Sequence, residues 1–186
     1  MRVGKKVVSK CIFDCAGDNN TICFEDEGTI SRSRFFIRGN NNTIIVGSGS
    51  SACGGEFWIE DDNNAIIIGK HTNLTGKCQL ACIEGCRIEI GDECLLSSDI
   101  VIRTGDSHTI TDLDGTRINP SCDVHIGRHV WLGHRVVVNK GVTIADNSVV
   151  GANAVVTRSE EREHIILAGC PARVVRQDID WDSERK

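Results

Sequence analysis

The chain has 186 residues, a formal net charge of −5, two prolines, 19 glycines and 4% aromatic residues. No basic excess exists to neutralise a phosphate backbone, so a general nucleic-acid binder is excluded, and the length suits one domain. Few aromatics mean a core built from Ile, Val, Leu, Ala and Cys, which suits a narrow interior better than a thick sandwich.

The start, "MRVGKKVVSK", carries positive charge but no apolar stretch of the signal-peptide kind. No run approaches the roughly 18 apolar residues that span a membrane. The expectation is a soluble cytoplasmic protein without membrane insertion, whose ten cysteines are reduced thiols.

A period of 22 residues governs the N-terminal half. "GDNNT" begins at Gly17, "GNNNT" at Gly39 and "DDNNA" at Asp61, and the same step links Phe24, Val46, Ile68 and Ile90. Twenty-two is three hexads plus four, so the expected coil has three flat sides and one corner that bulges by four residues. Asn and Gly fit that corner because both tolerate the left-handed backbone region. Cys78, Cys82 and Cys86 recur every four residues. No zinc spacing of the usual kind is present, so packing is the expectation for them and metal is not.

From Ile90 the step shortens to six, through Leu96 and Ile102, and the next position in phase is His108. There the rhythm stops. "RTGDSHTITDLDGTR" (103–117) is polar, and the aliphatic period returns only at Val124. A loop of about seventeen residues in a compact solenoid is usually functional, and histidine is the side chain best suited to take a proton near neutral pH. Asp106 is open to three readings: it binds substrate, orients the imidazole or shapes the turn. Ser107 opens the stretch to Pro120 that is expected to shape a substrate pocket.

After the loop the hexads are strict: Ile126, Leu132, Val138, Ile144, Val150 and Val156, with Val124, Val130, Val136, Val142, Ser148 and Ala154 two residues earlier. Each unit is a short strand with two inward positions and a small or turn-forming residue. The expected class is all-β, a triangular solenoid in one domain. Its segments are N-terminal coils (1–104), a loop (105–122), hexapeptide coils (123–159) and a C-terminal strand and tail (160–186).

The units "IGRHVWLGHRVVVNKGVTIADNSVVGANAVVT", the loop "RTGDSHTITDLDGTRINP" and the tail "AGCPARVVR" resemble the hexapeptide-repeat acyltransferases, within them the sugar and polysaccharide O-acetyltransferases. The match is strong from Ile90 to Arg176 and generic before. It implies a left-handed parallel β-helix, an exception to the right-handed crossover rule. It also implies a homotrimer with sites between subunits, acetyl-CoA as co-substrate and a carbohydrate acceptor. His108 is then the general base, and Trp131 lies at the thioester end of CoA, unless it serves only the trimer interface. Gly133, His134 and Ala152 would flank the pantetheine arm, since His134 and Ala152 stand one 18-residue coil apart; the alternative for the glycines is that they serve turns alone. Thr157 and Arg158 would meet the nucleotide, and Arg173 and Arg176 its phosphates, unless they are ordinary surface charge. Backbone amides near Trp131 or Gly133 are the expected oxyanion donors. Two other classes stay open: a noncatalytic scaffold, and a zinc enzyme like the γ-type carbonic anhydrases using His125, His129 and His134.

Overall fold

The computed structural model describes residues 2, 3, 5 and 7–184. Among them there is no helix, and the strands fall into three sheets that the chain visits in turn. Thr43–Val46 lies on the first face, Ser51–Cys53 on the second and Gly55–Glu60 on the third, before Ala65–Ile68 returns to the first. Each strand pairs in parallel with the strands one coil before and after, in register, as in Ile44↔Ile66↔Ile88. The backbone groups are thus paired between coils, and only the side chains decide which way each strand faces.

The six- and 22-residue steps map onto inward columns. Phe24, Val46, Ile68, Ile90, Ile126 and Ile144 are registered one above another on the first face, and all are buried. On the third face Phe13, Phe35 and Phe57 stack with ring centroids 5.0 and 4.7 Å apart.

The four extra residues of the 22-residue period do not form the single corner bulge that the spacing suggests. They are shared between two faces. The longer coil turns Cys78, Leu80 and Cys82 inward on the third face and Cys86, Ile88 and Ile90 on the first. The 18-residue coil turns in Val136 and Val138, then Val142 and Ile144. The triangle is therefore broadened on both sides of the corner between third and first faces. Third-face strands reach five or six residues in the N-terminal half, Arg34–Arg38 and Gly55–Glu60, against two at Val137–Val138.

That corner is filled by a ladder of asparagines. The amide N–H of Asn42 donates to Asn20 Oδ1 at 2.9 Å, and that of Asn64 to Asn42 Oδ1 at 2.8 Å. Asn42 and Asn64 are fully enclosed, so each side chain satisfies backbone that would otherwise be orphaned. Gly39 turns here at φ +128, and a Cβ on it would lie 2.1 Å from the Asp61 carbonyl oxygen, so only glycine fits.

Cysteine packing holds for Cys78, Cys82, Cys86 and Cys94, which are buried; burial pushes Cys78 and Cys82 up to about 12 and Cys86 and Cys94 to about 11. It does not hold for Cys15, Cys122 and Cys170, which are exposed. At the far end Ile166–Gly169 continues the second face, and Ala172–Arg176 pairs with it antiparallel. The tail then turns back. Trp181 stacks on His129 at 4.4 Å and donates its indole N–H to the His129 carbonyl at 2.8 Å.

Candidate active site

The polar segment leaves the solenoid at the broadened corner, directly after the third-face strand Ile100–Arg103. Its neck is closed by the amide of Cys122 donating to the Thr104 carbonyl at 2.9 Å. Beyond the neck the chain forms a small hairpin. The Ile118 amide donates to the Ile110 carbonyl at 2.9 Å, and Asp112 Oδ1 accepts from the amides of Asp114 and Thr116 at the tip. Ile110, Leu113 and Ile118 all project to the surface, Leu113 completely.

His108 is exposed and stands just after Ser107, whose φ of +64 places a non-glycine residue in the left-handed region. What holds this stretch is Asn119, which is buried. Its Nδ2 donates to the His108 carbonyl at 2.8 Å and to Asp106 Oδ2 at 2.9 Å, while its Oδ1 accepts from the Ile110 amide at 2.7 Å. Lys140, from the following coil, places Nζ 2.5 Å from Asp106 Oδ2 and 3.1 Å from the Asn119 carbonyl. The Lys140 ammonium, then the Asn119 amide, hold the Asp106 carboxyl below its ordinary value of 3.8. The preceding coil contributes too: Glu84 accepts from Arg117 Nη2 at 2.7 Å and from the Ser121 amide at 3.2 Å. Of the three readings of Asp106, the contacts are those of a loop brace: its carboxylate faces Lys140 and Asn119.

Trp131 is outward on the second face, between buried Val130 and Leu132, with 38% of its surface exposed. Its indole N–H donates to Ser97 Oγ at 3.3 Å, and Trp181 lies 6.0 Å away. Gly133 and Gly151 follow at the next corner. Gly133 needs to be small, because a Cβ on it would meet the Ala152 nitrogen at 2.8 Å, whereas a Cβ on Gly151 would make only ordinary contacts from 3.4 Å. His134 Nδ1 sits 2.9 Å from Ser98 Oγ, and Ala152 is exposed one coil on.

Part of one expectation fails here, for the Trp131 and Gly133 amides themselves. The amides of Trp131 and Gly133 donate to the carbonyls of Ser148 and Val150 at 2.9 and 2.8 Å, and the amide of Gly151 to that of Leu167 at 2.8 Å. These donors are spent on coil-to-coil pairing, so they are not available to an oxyanion or a pantetheine carbonyl.

Thr157 closes the last third-face strand and shares a cavity of about 440 Å³ with Arg103, Asp106, Asn139 and Lys140. Arg158 is exposed beside it. Arg173 is registered with Ala168, whose methyl lies over Gly151, so this arginine heads the Gly133–Gly151 corner; Arg176 pairs with Ile166. The chain thus gathers Trp131, Gly133, His134, Ala152 and Arg173 along the second face and its following corner. His108 stands at a different corner, across the third face, and one chain does not bring it to Trp131.

His125, His129 and His134 do not converge. His125 faces Glu89 at 3.1 Å on the first face, His129 stacks under Trp181 at one corner and His134 occupies another. Sequence reading missed Asn119 and Lys140. The signal for Asn119 was weak, an asparagine before Pro120; for Lys140 it was absent, since 32 positions separate it from His108.

A family profile, bacterial transferase hexapeptide (six repeats), matches residues 123–158. The chain is 33% identical over 110 residues to a galactoside O-acetyltransferase of Escherichia coli (strain K12), a stretch covering 59% of this chain and 54% of that protein. It is 36% identical over 107 residues to a polysialic acid O-acetyltransferase of Neisseria meningitidis, covering 57% and 50%. The chain therefore spans about half the length of these curated relatives. The solved structure of the polysialic acid O-acetyltransferase OatWY is similar at a TM-score of 0.72 and 30% identity, covering 94% of this chain and 93% of that one.

Proposed function

The chain belongs to the hexapeptide-repeat acyltransferases, left-handed β-helix proteins, in the branch of the sugar and polysaccharide O-acetyltransferases, and from that premise we propose that it moves an acetyl group from acetyl-CoA to a hydroxyl of a carbohydrate, with His108 as general base. The observation that carries this is the braced loop. His108 interrupts the inward phase at the broadened corner, and Asn119, Asp106 and Lys140 fix the backbone that presents it.

The chemistry follows from the group. The imidazole takes the proton of the acceptor hydroxyl as its oxygen attacks the thioester carbonyl carbon. The tetrahedral intermediate then collapses, the C–S bond breaks, and the departing thiolate takes the proton back from the imidazolium. Positioned base catalysis contributes roughly 10²–10⁴ in rate. The oxyanion must be met by donors other than the Trp131 and Gly133 amides.

Trp131, Gly133, His134, Ala152, Thr157, Arg158, Arg173 and Arg176 are the proposed CoA residues. Trp131, Gly133, His134, Ala152 and Arg173 form a track along the second face and its following corner, while Thr157 and Arg158 follow the last third-face strand beside the loop. That track and His108 lie apart in one chain, which supports a homotrimer whose sites combine the loop of one subunit with the CoA track of the next. The hairpin's apolar residues Ile110, Leu113 and Ile118 support the same arrangement, since a projecting arm of this kind gains by being covered. Asp106 and Ser107 border the acceptor.

Mixing tests the composite site. His108→Ala and Trp131→Ala subunits, each inactive alone, should regain part of wild-type acetyl-CoA-dependent thiol release once dissociated and reassembled together. Activity that never returns on co-assembly would place both residues in one subunit's site, or outside the site.

A further inference from the structure

The broadened third face carries a feature that base catalysis and CoA binding leave unused. Its outward column runs Asp14, Phe36, Trp58, Ala81 and Arg103 in register, one residue per coil, toward the loop. Phe36 and Trp58 stack with centroids 3.8 Å apart and 17° between planes. Arg38 lies 4.2 Å from the Phe36 centroid, and Arg34 5.5 Å from that of Trp58. Asp14 holds both guanidinium groups, at 2.7 Å for Arg38 and 3.4 Å for Arg34. Phe36 is thereby buried on the surface of the protein, and one side of the Trp58 indole is fixed against it.

The other side meets Ala81, which is too small to cover it. A cavity of about 290 Å³ opens there, lined by Trp58, Glu60, Gln79, Ala81, Arg103 and Ser107. Its rim is polar and already ordered. Arg103 Nη2 donates to Gln79 Oε1 at 2.6 Å, and Gln79 Nε2 donates to Glu56 Oε2 at 2.9 Å. A rigid aromatic face beside carboxylates, an amide and a guanidinium matches a pyranose ring, which offers C–H groups on its face and hydroxyls around its edge.

We propose that this cavity is a distal saccharide subsite, with a sugar ring stacked on Trp58, and that the acceptor is therefore an oligosaccharide chain that runs along the third face to His108. The proposal rests on the O-acetyltransferase reading and adds the length of the acceptor. Length follows from spacing. Trp58 and Arg103 are two coils apart, about 10 Å at the usual strand separation. His108 lies beyond Arg103. The same cavity extends from Trp58 to Ser107, the neighbour of His108, so a chain with one ring on the indole carries a further unit toward the base. The extra third-face residues of the 22-residue coils gain a purpose here: they make the face wide enough to carry the aromatic column.

The test reads Trp58 directly. The chain has three tryptophans, so Trp131→Phe/Trp181→Phe leaves Trp58 as the one reporter. Its fluorescence is titrated with ladders of one to six units of α2,8-linked sialic acid, β1,4-linked N-acetylglucosamine and α1,4-linked glucose. Trimers and longer members of one ladder should change the emission at concentrations at least tenfold lower than the monosaccharide does. No response to any ladder, or equal affinity for monomer and trimer, overturns the proposal. In the otherwise wild-type protein, Trp58→Ala should raise the KM for the responding trimer about tenfold, more than any change for the monosaccharide, with Trp58→Phe recovering part of the loss. Acetyl transfer whose length preference survives Trp58→Ala would remove the subsite and leave the acetyltransferase reading in place. A Trp58 response without any acetyl transfer would do the reverse.

Discussion

Asn119→Ala removes three short hydrogen bonds at once, to the His108 carbonyl, to Asp106 Oδ2 and from the Ile110 amide, and a longer fourth from Arg117 Nε at 3.4 Å. Each of the short ones is worth about 0.5–1.5 kcal/mol net, so the ordered form of the loop loses about 3 kcal/mol. That corresponds to a factor of about 100 in population. Part of this is recovered, because Lys140 still holds Asp106 and Arg117 still holds Glu84. The expected fall in kcat/KM is therefore about 10- to 100-fold. Global stability should change far less, because the loop lies outside the stacked core and the coils beneath it keep their pairing. The assay is acetyl-CoA-dependent thiol release with a fixed acceptor, paired with thermal unfolding and with amide exchange over 105–122. Asn119→Asp is the sharper variant. It keeps the acceptor for Ile110 but sets a second carboxylate against Asp106, so it should be no better than alanine. The brace should also survive mild acid. Asp106 has a depressed value in the fold, so its contribution is complete above its ordinary 3.8 and is lost only as pH falls through the lower folded value. Asn119→Ala or Asn119→Asp turning over within twofold of wild type would refute the brace as the device that positions His108.

Two further outcomes are expected. Arg173→Ala should raise the KM for acetyl-CoA and hardly move that for the acceptor, and it should weaken CoA more than dephospho-CoA if it grips the 3′-phosphate; unchanged binding of both ligands would take Arg173 out of the CoA track. Thiol labelling of the native protein at pH 8 should leave Cys78, Cys82, Cys86 and Cys94 untouched until denaturant is added, while Cys122 and Cys170 react. Cys53, whose sulfur accepts from Arg32 Nη2 at 2.7 Å and whose thiol that contact holds below its ordinary value, should alkylate at lower pH than the rest; rapid native labelling of the four buried thiols would contradict the packing.

The coils were legible because each of their residues repeats one constraint. An inward Ile at position 68 and another at 90 say the same thing, and the pattern survives even where Ser148 stands in an aliphatic column, buried and donating to the Asp146 carbonyl. The loop was legible as a loop because it breaks that repetition. Its brace was not, because Lys140 meets Asp106 only after a full coil has been stacked in between, and no local pattern encodes that approach. The 22-residue period was legible as a length but not as a shape. Counting residues does not tell whether four extra ones bulge outward or lengthen two faces; the inward turns of Cys82 and Cys86 decide it. Amide donors at Trp131 and Gly133 looked free in sequence, and coil pairing uses both. The separation of His108 from Trp131 likewise depends on which corner each occupies, which spacing modulo six leaves open.

The general base is the claim on which the rest of the chemistry depends, and His108→Ala addresses it with two numbers from one preparation. Turnover by thiol release should fall roughly 10²-fold or more, while the Kd for acetyl-CoA, measured by calorimetry, stays where it is in the wild-type protein. Turnover near the wild-type rate with the same Kd would contradict the account, because a chain that acetylates its acceptor without His108 takes the acceptor's proton elsewhere.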